Sequence, residues 1–279
     1  MQRLCDLHTH SIYSDGSCTP EELLNLAQQA GLSAVALCDH NTVDGLPSFL
    51  SAATNTKVEA IAGAEFSVDL EGTELHLLGL EIPVTYFSQI SEQMREGMKR
   101  KEISNLELIE SLGRAGYSLD YKAIKDQTPN GKVNRAHIAM ELTRRGYTGS
   151  VQEAFATLLS PAAGHYIEPK RLTVWEMLDV LCSMGAIPVL AHPFLNLSEE
   201  RLKELLPQAA RRGLRGMECQ YSLYDETTTQ TAMQMADAYG LKYSGGSDFH
   251  GTAKPDIRIG VGKGNLQIPY QWLIDLHRA

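Results

Sequence analysis

The chain has no C-x-x-C pair, no surplus of positive charge and no apolar run of the length that spans a bilayer. Its five cysteines, Cys5, Cys18, Cys38, Cys182 and Cys219, are scattered and odd in number. That pattern excludes a disulfide framework and a cysteine-built structural zinc site, and it reads as reduced thiols in a cytoplasmic protein. Met1–Asp15 has no basic start followed by an apolar stretch, so it does not read as a secretory leader. Acidic side chains outnumber basic ones 34 to 25, for a formal net charge of -9. A broad electropositive face for nucleic acid is not expected from that balance. Positive charge for a phosphate ligand must therefore be local, and bound metal is the obvious source. What is present is ordinary for a folded protein: 279 residues, 43% hydrophobic and 21% charged, enough for one large catalytic domain with an insert.

Short, β-rich apolar runs recur at Arg3–Leu7, Ala34–Cys38, Val58–Phe66, Glu74–Leu80, Ile187–Ala191, Gly216–Gln220 and Leu241–Gly245. Helical patterns lie between several of them. Pro20–Ala30 is framed by Thr19 as N-cap and Gly31 as stop. Val174–Met184, Glu199–Arg212 and Thr227–Tyr239 follow the same period. Alternating strands and helices predict an α/β fold with a parallel sheet and helices outside it. The pattern alone does not separate an open doubly wound sheet from a closed barrel. Residues 83–164 lack a buried strand but carry helical patterns at Phe87–Leu112, Asn134–Arg145 and Ser150–Leu159. They read as a helical insert on a main domain made of residues 1–82 and 165–279, because so long a structureless loop is rare in a compact domain.

The histidines are unevenly placed. His8 and His10 follow the first strand in DLHTHSIYSDGS, and two residues apart on extended chain they face the same way. Asp15 comes shortly after. His40 ends the second strand, Glu65 the third, and His192 the fifth. His76 lies in the fourth strand, and Asp248 with His250 follows the seventh. In a parallel α/β architecture strand ends share one rim, where active sites form. Mixed imidazole and carboxylate ligands suit zinc, manganese or iron. Nine ligands are too many for one ion, so two or three divalent ions are expected. Glu65 is a natural bridge because a carboxylate has two oxygens.

The segments DLHTHSIYSDG, CDHNT, GAE, ELHLLG, AHP and GGSDFHG resemble, in order, the motifs of the PHP family, named for polymerase and histidinol phosphatase. The resemblance implies a distorted seven-stranded, TIM-like (β/α)7 barrel with a metal cluster at its C-terminal rim, and favours the barrel over the open sheet. It implies that His8, His10, Glu65 and Asp248 surround one ion, Asp15, His40 and His250 a second, and His76 and His192, with Glu65 bridging, a third. Asp6 and Asp39 are expected to orient imidazoles from behind. The insert and its segment VNRAHIAMELTRRGY resemble the bacterial branch that cleaves nucleoside 3',5'-bisphosphates, whose members are also associated with 5'-to-3' trimming of short RNA. Arg135 matches that branch's phosphate-binding arginine, and with Asn134 it opens a helix whose free amides favour an anion. In this role the insert caps the substrate. One departure is the stretch LLSPAAGHYIEPKR, where Ala162 and Ala163 occupy the place of an expected basic residue and His165, Lys170 or Arg171 are the substitutes at hand.

The expected chemistry is hydrolysis of a phosphate monoester by water activated on metal, manganese first, iron or zinc next. His192 and His250 are the acid/base candidates. Glu218, Tyr221 and Tyr224 lie at or beyond the end of the sixth strand with no role fixed by sequence: Glu218 near the site or paired to a base, the tyrosines in the core or stacked on a nucleobase. The alternatives are a histidinol-phosphate or other small-molecule phosphatase, an exonuclease on nucleic-acid ends, and a non-catalytic metal-binding module docked on a nucleic-acid enzyme. No membrane partner is expected, and oligomeric state is open.

Overall fold

The computed structural model describes residues 3–128, 133–166 and 171–278. Among them seven strands form one sheet in sequence order: β1 (Cys5–Thr9), β2 (Ala34–Leu37), β3 (Glu59–Leu70), β4 (Thr73–Leu80), β5 (Ile187–Ala191), β6 (Gly216–Tyr221) and β7 (Lys242–Gly246). The sheet nearly closes on itself. The Asp248 amide donates to the His8 carbonyl at 2.8 Å and the His10 amide to the Phe249 carbonyl at 2.9 Å, so the first strand meets the segment leaving the last. Glycine makes this approach feasible. A Cβ on Gly246 would lie 2.2 Å from the Cβ of His8, closer than any real pair of such atoms.

The sheet is not parallel throughout, as the alternation of elements had suggested. β4 runs antiparallel to both β3 and β5, while the other neighbours pair in parallel. The cause is local. β3 and β4 are joined by Glu71 and Gly72 alone, both at positive φ (52° and 86°), the geometry of a two-residue hairpin. Two residues cannot make the crossover that a parallel pair requires. β3 accordingly runs four residues beyond its expected end, so Glu65 lies within the strand.

Ten helices occur among the described residues: α1 (Pro20–Gln29), α2 (Leu46–Ala53), α3 (Phe87–Arg114), α4 (Tyr121–Gln127), α5 (Arg135–Arg144), α6 (Val151–Ala156), α7 (Val174–Met184), α8 (Glu199–Arg211), α9 (Glu226–Ala238) and α10 (Tyr270–His277). Thr19 with Glu22, and Thr173 with Glu176, form capping boxes that fix where α1 and α7 begin. Alternate strand residues, among them Cys5, Leu7, Ala34, Ala36, Leu78, Leu80, Ile187 and Val189, make one buried cluster, to which α10 adds Leu273 and Leu276. β1, β2 and β5 are buried at every position, as strands covered on both faces must be.

The chain divides into two compact units, Met1–Glu92 with Arg171–Ala279, and Gln93–Lys170. The second has its own core, built on Leu108, Leu112, Ile138 and Leu142. There the helix expected at Ser150–Leu159 stops at Ala156, because Thr157 leaves helical geometry (φ -116°, ψ -92°).

Candidate metal centre

The rim of the barrel unit is organised by two buried carboxylates that touch no imidazole. Asp6 accepts from the Ser247 amide at 2.8 Å, the Ser247 hydroxyl at 2.5 Å, the Gly260 amide at 2.7 Å and the His8 amide at 3.3 Å. Asp39 accepts from the Ser11 amide at 2.8 Å and the Ser11 and Ser14 hydroxyls at 2.7 and 2.6 Å. The expectation that these two orient imidazoles is therefore corrected. They tie the loop after β1 and the loop after β7 into place, and the ligand-bearing segments follow from that.

Glu65, fully buried, stands at the centre. Its Oε1 lies 2.7 Å from His76 Nδ1 and 2.8 Å from His192 Nε2. Its Oε2 lies 3.0 Å from His40 Nδ1, 3.2 Å from His8 Nε2 and 3.3 Å from His10 Nε2. Asp248 Oδ1 is 3.1 Å from His10 Nε2, and Asp15 Oδ1 is 3.2 Å from His250 Nε2. All nine side chains singled out in the sequence thus meet in one cluster. The reversal of β4 is what admits His76: pairing it with Ser67 and Ala191 brings the first half of this strand level with the last halves of its neighbours.

Ligand atoms within 4.8 Å of one another fall into overlapping groups: His8, His10, Glu65 and Asp248; His10, Asp15, His40 and His250; His40, Glu65 and His76; and His8, His192 and Glu218. Three buried atoms in these groups, His10 Nδ1, Glu65 Oε2 and His250 Nε2, have no hydrogen-bond partner among the described residues. A buried polar atom left unsatisfied costs about 1–3 kcal/mol, and a shared cation satisfies such atoms together. The donor set fits divalent metal.

Opposite charges are set against burial throughout the cluster. Burial pushes the Glu65 carboxyl up, but the surrounding imidazoles, His8 and His40 foremost, hold it well below the usual range. Burial likewise opposes ionisation of Asp248 and Asp15, and neighbouring histidines prevail in both, His10 for the first and His250 for the second. Among the imidazoles, burial takes His40 down to about 4, whereas at His76 the bonds to Glu65 and Glu74 overcome burial and raise it to about 9. Two of the clustered residues occupy left-handed backbone without being glycine, His192 at φ 28° and Asp248 at φ 55°. Such strain costs about 1–3 kcal/mol and gathers at functional sites.

Three further residues complete the surroundings. Tyr221 OH and Lys254 Nζ both donate to Asp248 Oδ2, at 2.8 and 2.7 Å, which leaves Oδ1 to face the imidazoles. Tyr221 is buried, whereas Lys254 is partly open to solvent. Nothing in the sequence marks Lys254. Glu218 is fully buried between His8 and His192, and its place at the end of a strand was the one available signal. Tyr224 is a core residue whose hydroxyl accepts from the Phe194 amide at 2.9 Å.

In the second unit, Asn134 caps α5 by accepting from the His137 amide at 3.1 Å, and His137 Nδ1 accepts from the Asn134 amide. The Arg135 guanidinium lies over the Tyr166 ring, 4.4 Å from its centroid, and His165 bonds the Ser111 hydroxyl. Arg171, in the barrel unit, pairs with Glu74 at 2.7 Å. Lys170 lies outside the described residues. No helix among the described residues is long and apolar enough to cross a membrane.

The PHP domain model matches residues 6–166, more than half of the chain. The 5'-3' exoribonuclease Rnm of Escherichia coli is 30% identical over 251 residues, covering 88% of this chain and 84% of that protein. The 3',5'-nucleoside bisphosphate phosphatase of Chromobacterium violaceum is 25% identical over 261 residues, covering 91% and 90%. A solved structure from Bifidobacterium adolescentis shares the fold with a TM-score of 0.72 at 24% identity, covering 98% of this chain and 95% of that one. With the ligand-rich rim and the nearly closed mixed barrel, these likenesses establish that the chain belongs to the PHP family and is a metal-dependent phosphoesterase.

Proposed function

We propose that the protein removes the 3'-phosphate of nucleoside 3',5'-bisphosphates such as adenosine 3',5'-bisphosphate. The observation that carries the chemistry is the convergence of five imidazoles on the two oxygens of buried Glu65. His8, His10, Asp15, His40, Glu65, His76, His192, Asp248 and His250 would hold two or three divalent ions, manganese first, with iron and zinc also suited to the donor set. Such ions supply positive charge to phosphoryl oxygens and acidity to a coordinated water.

The chain's own groups do the rest. Lys254 brings a cation to the edge of the cluster in an otherwise acidic protein, and Tyr221 with Lys254 keeps Asp248 turned inward. Of His192 and His250, whichever the ions leave unligated would move a proton. Arg135, already stacked on Tyr166, would take the substrate's other phosphate, with Asn134 fixing the helix start on which it stands. Residues 83–164 then serve as the substrate cap, and the enzyme works in the cytoplasm.

A second reading, 5'-to-3' exonuclease action on short RNA, is favoured by the name and near full-length coverage of the E. coli relative. Phosphate release from adenosine 3',5'-bisphosphate, compared with nucleotide release from a 5'-phosphorylated oligoribonucleotide, separates the two. The first reading expects the bisphosphate to be preferred and Arg135→Ala to raise its KM. Unchanged kinetics in that variant would remove Arg135 from the substrate site.

A further inference from the structure

His8 and His192 bear on different oxygens of Glu65, His8 Nε2 at 3.2 Å from Oε2 and His192 Nε2 at 2.8 Å from Oε1. One side chain stands behind both. Glu218, in β6, is fully buried; its Oε1 lies 3.0 Å from His8 Nδ1 and its Oε2 accepts from the His192 amide at 2.7 Å. We propose that Glu218 is a positioning residue of the metal centre, a single carboxylate that fixes the tautomer of one ligand and the backbone of another without itself ligating. The inference rests on the reading of His8 and His192 as ligands.

A backbone N–H can only donate, so Oε2 is an acceptor. The His8 Nδ1–Oε1 contact of 3.0 Å fits donation either way; the role assigned to Glu218 has Oε1 accept there too, which puts the His8 proton on Nδ1 and leaves the lone pair of Nε2 toward Glu65 and His10. That is the nitrogen an ion in the cluster needs. At His192 the backbone is left-handed (φ 28°, ψ 53°), and the bond from its amide to Glu218 holds the turn that brings the ring back to Glu65.

Direct ligation by Glu218 is the competing role, since it forms a three-residue group with His8 and His192. Each of its oxygens already has a partner in the cluster, however, and Oε1 faces His8 Nδ1, the nitrogen turned away from Glu65 and His10. Glutamine cannot replace glutamate here. Its NH2 group would either oppose the His192 N–H, donor against donor, or donate to His8 Nδ1 and move the ring proton onto Nε2.

The test uses the full chain. Wild type and Glu218→Gln are stripped, then titrated with zinc by equilibrium dialysis, with circular dichroism as the check of folding. The affinity of the variant is expected to fall about 10- to 100-fold with the fold kept. In zinc-loaded, 15N-histidine-labelled wild type, His8 is expected to show a protonated Nδ1 and a zinc-bound Nε2. Equal zinc affinity in wild type and Glu218→Gln overturns the Glu218 role alone. Wild type that takes up no zinc sinks the ligand reading and the inference with it. Should Glu218→Gln fail to fold, the wild-type spectrum decides by itself, and zinc on His8 Nδ1 overturns the proposal.

Discussion

Replacing Asp6 with alanine separates a scaffold role from a ligand-orienting one. The carboxylate accepts from two backbone amides at short range, Ser247 at 2.8 Å and Gly260 at 2.7 Å, from the Ser247 hydroxyl at 2.5 Å, and from the more distant His8 amide. All lie in the buried region between β1 and the segments after β7. The hydroxyl can rotate to another acceptor, but the two short-range amides cannot, and each orphaned buried donor costs about 1–3 kcal/mol. Part of this is returned because the carboxylate no longer has to be buried, a cost visible in the upward push that burial gives its pKa. The net expectation is a loss of about 2–5 kcal/mol, read from urea unfolding of metal-free protein. Asp6→Asn should not rescue it, since an amide presents one acceptor and turns a donor on a neighbouring N–H. If Asp6→Ala unfolds within about 1 kcal/mol of wild type but binds zinc more weakly, the scaffold argument is wrong and the expectation drawn from sequence was right.

Chelation should abolish phosphoester hydrolysis and lower the melting temperature, because stability falls by about 2.7 kcal/mol for each ion lost from a site held at a hundred times its Kd; a calorimetric scan with and without chelator checks this. Asp248→Ala and His10→Ala should lose turnover while retaining the far-ultraviolet spectrum of the fold. Cys182, which is exposed, should react with a thiol reagent in the native protein, whereas Cys5, Cys38 and Cys219, whose thiols are buried and pushed up, should react only on unfolding; peptide mapping shows which are labelled. Glu141, bonded first to Arg144 and then to Arg145, is held down to about 2 against an ordinary 4.5. A depressed carboxylate stabilises above its unfolded pKa and loses that contribution as pH falls from 4.5 toward 2. Solvent screening of the exposed arginines limits it to about 1 kcal/mol, so Glu141→Gln should be less stable than wild type at pH 6 and nearly equal to it at pH 2.

Much of this site can be read before folding because its chemistry is concentrated in residue types that are expensive to bury. Imidazoles and carboxylates at the ends of apolar runs need a compensating partner, and nine of them predict one. Helix starts are equally legible where a side chain closes the cap, as Thr19 and Thr173 do. The reversal of β4 is not legible, because Glu71–Gly72 lacks the Asn-Gly or Asp-Gly signature of a tight hairpin. α2, α4 and α10 escape because each spans only two turns, and α6, shorter still, is read only as part of a longer apparent pattern over Ser150–Leu159. Lys254 goes unmarked, and the role of Tyr221 stays open, for another reason: both act on Asp248 across the fold, and no local pattern records contacts between segments that only the barrel brings together.

The seam between β1 and β7 has a mechanical consequence. It is where His8 and His10, from the early part of the sequence, meet Asp248 and His250, from the late part. A cation seated there would act as a clasp on the staves of the barrel, joining the two ends of the chain more firmly than the seam alone. Stripping the metal would then loosen this seam before any other part of the barrel.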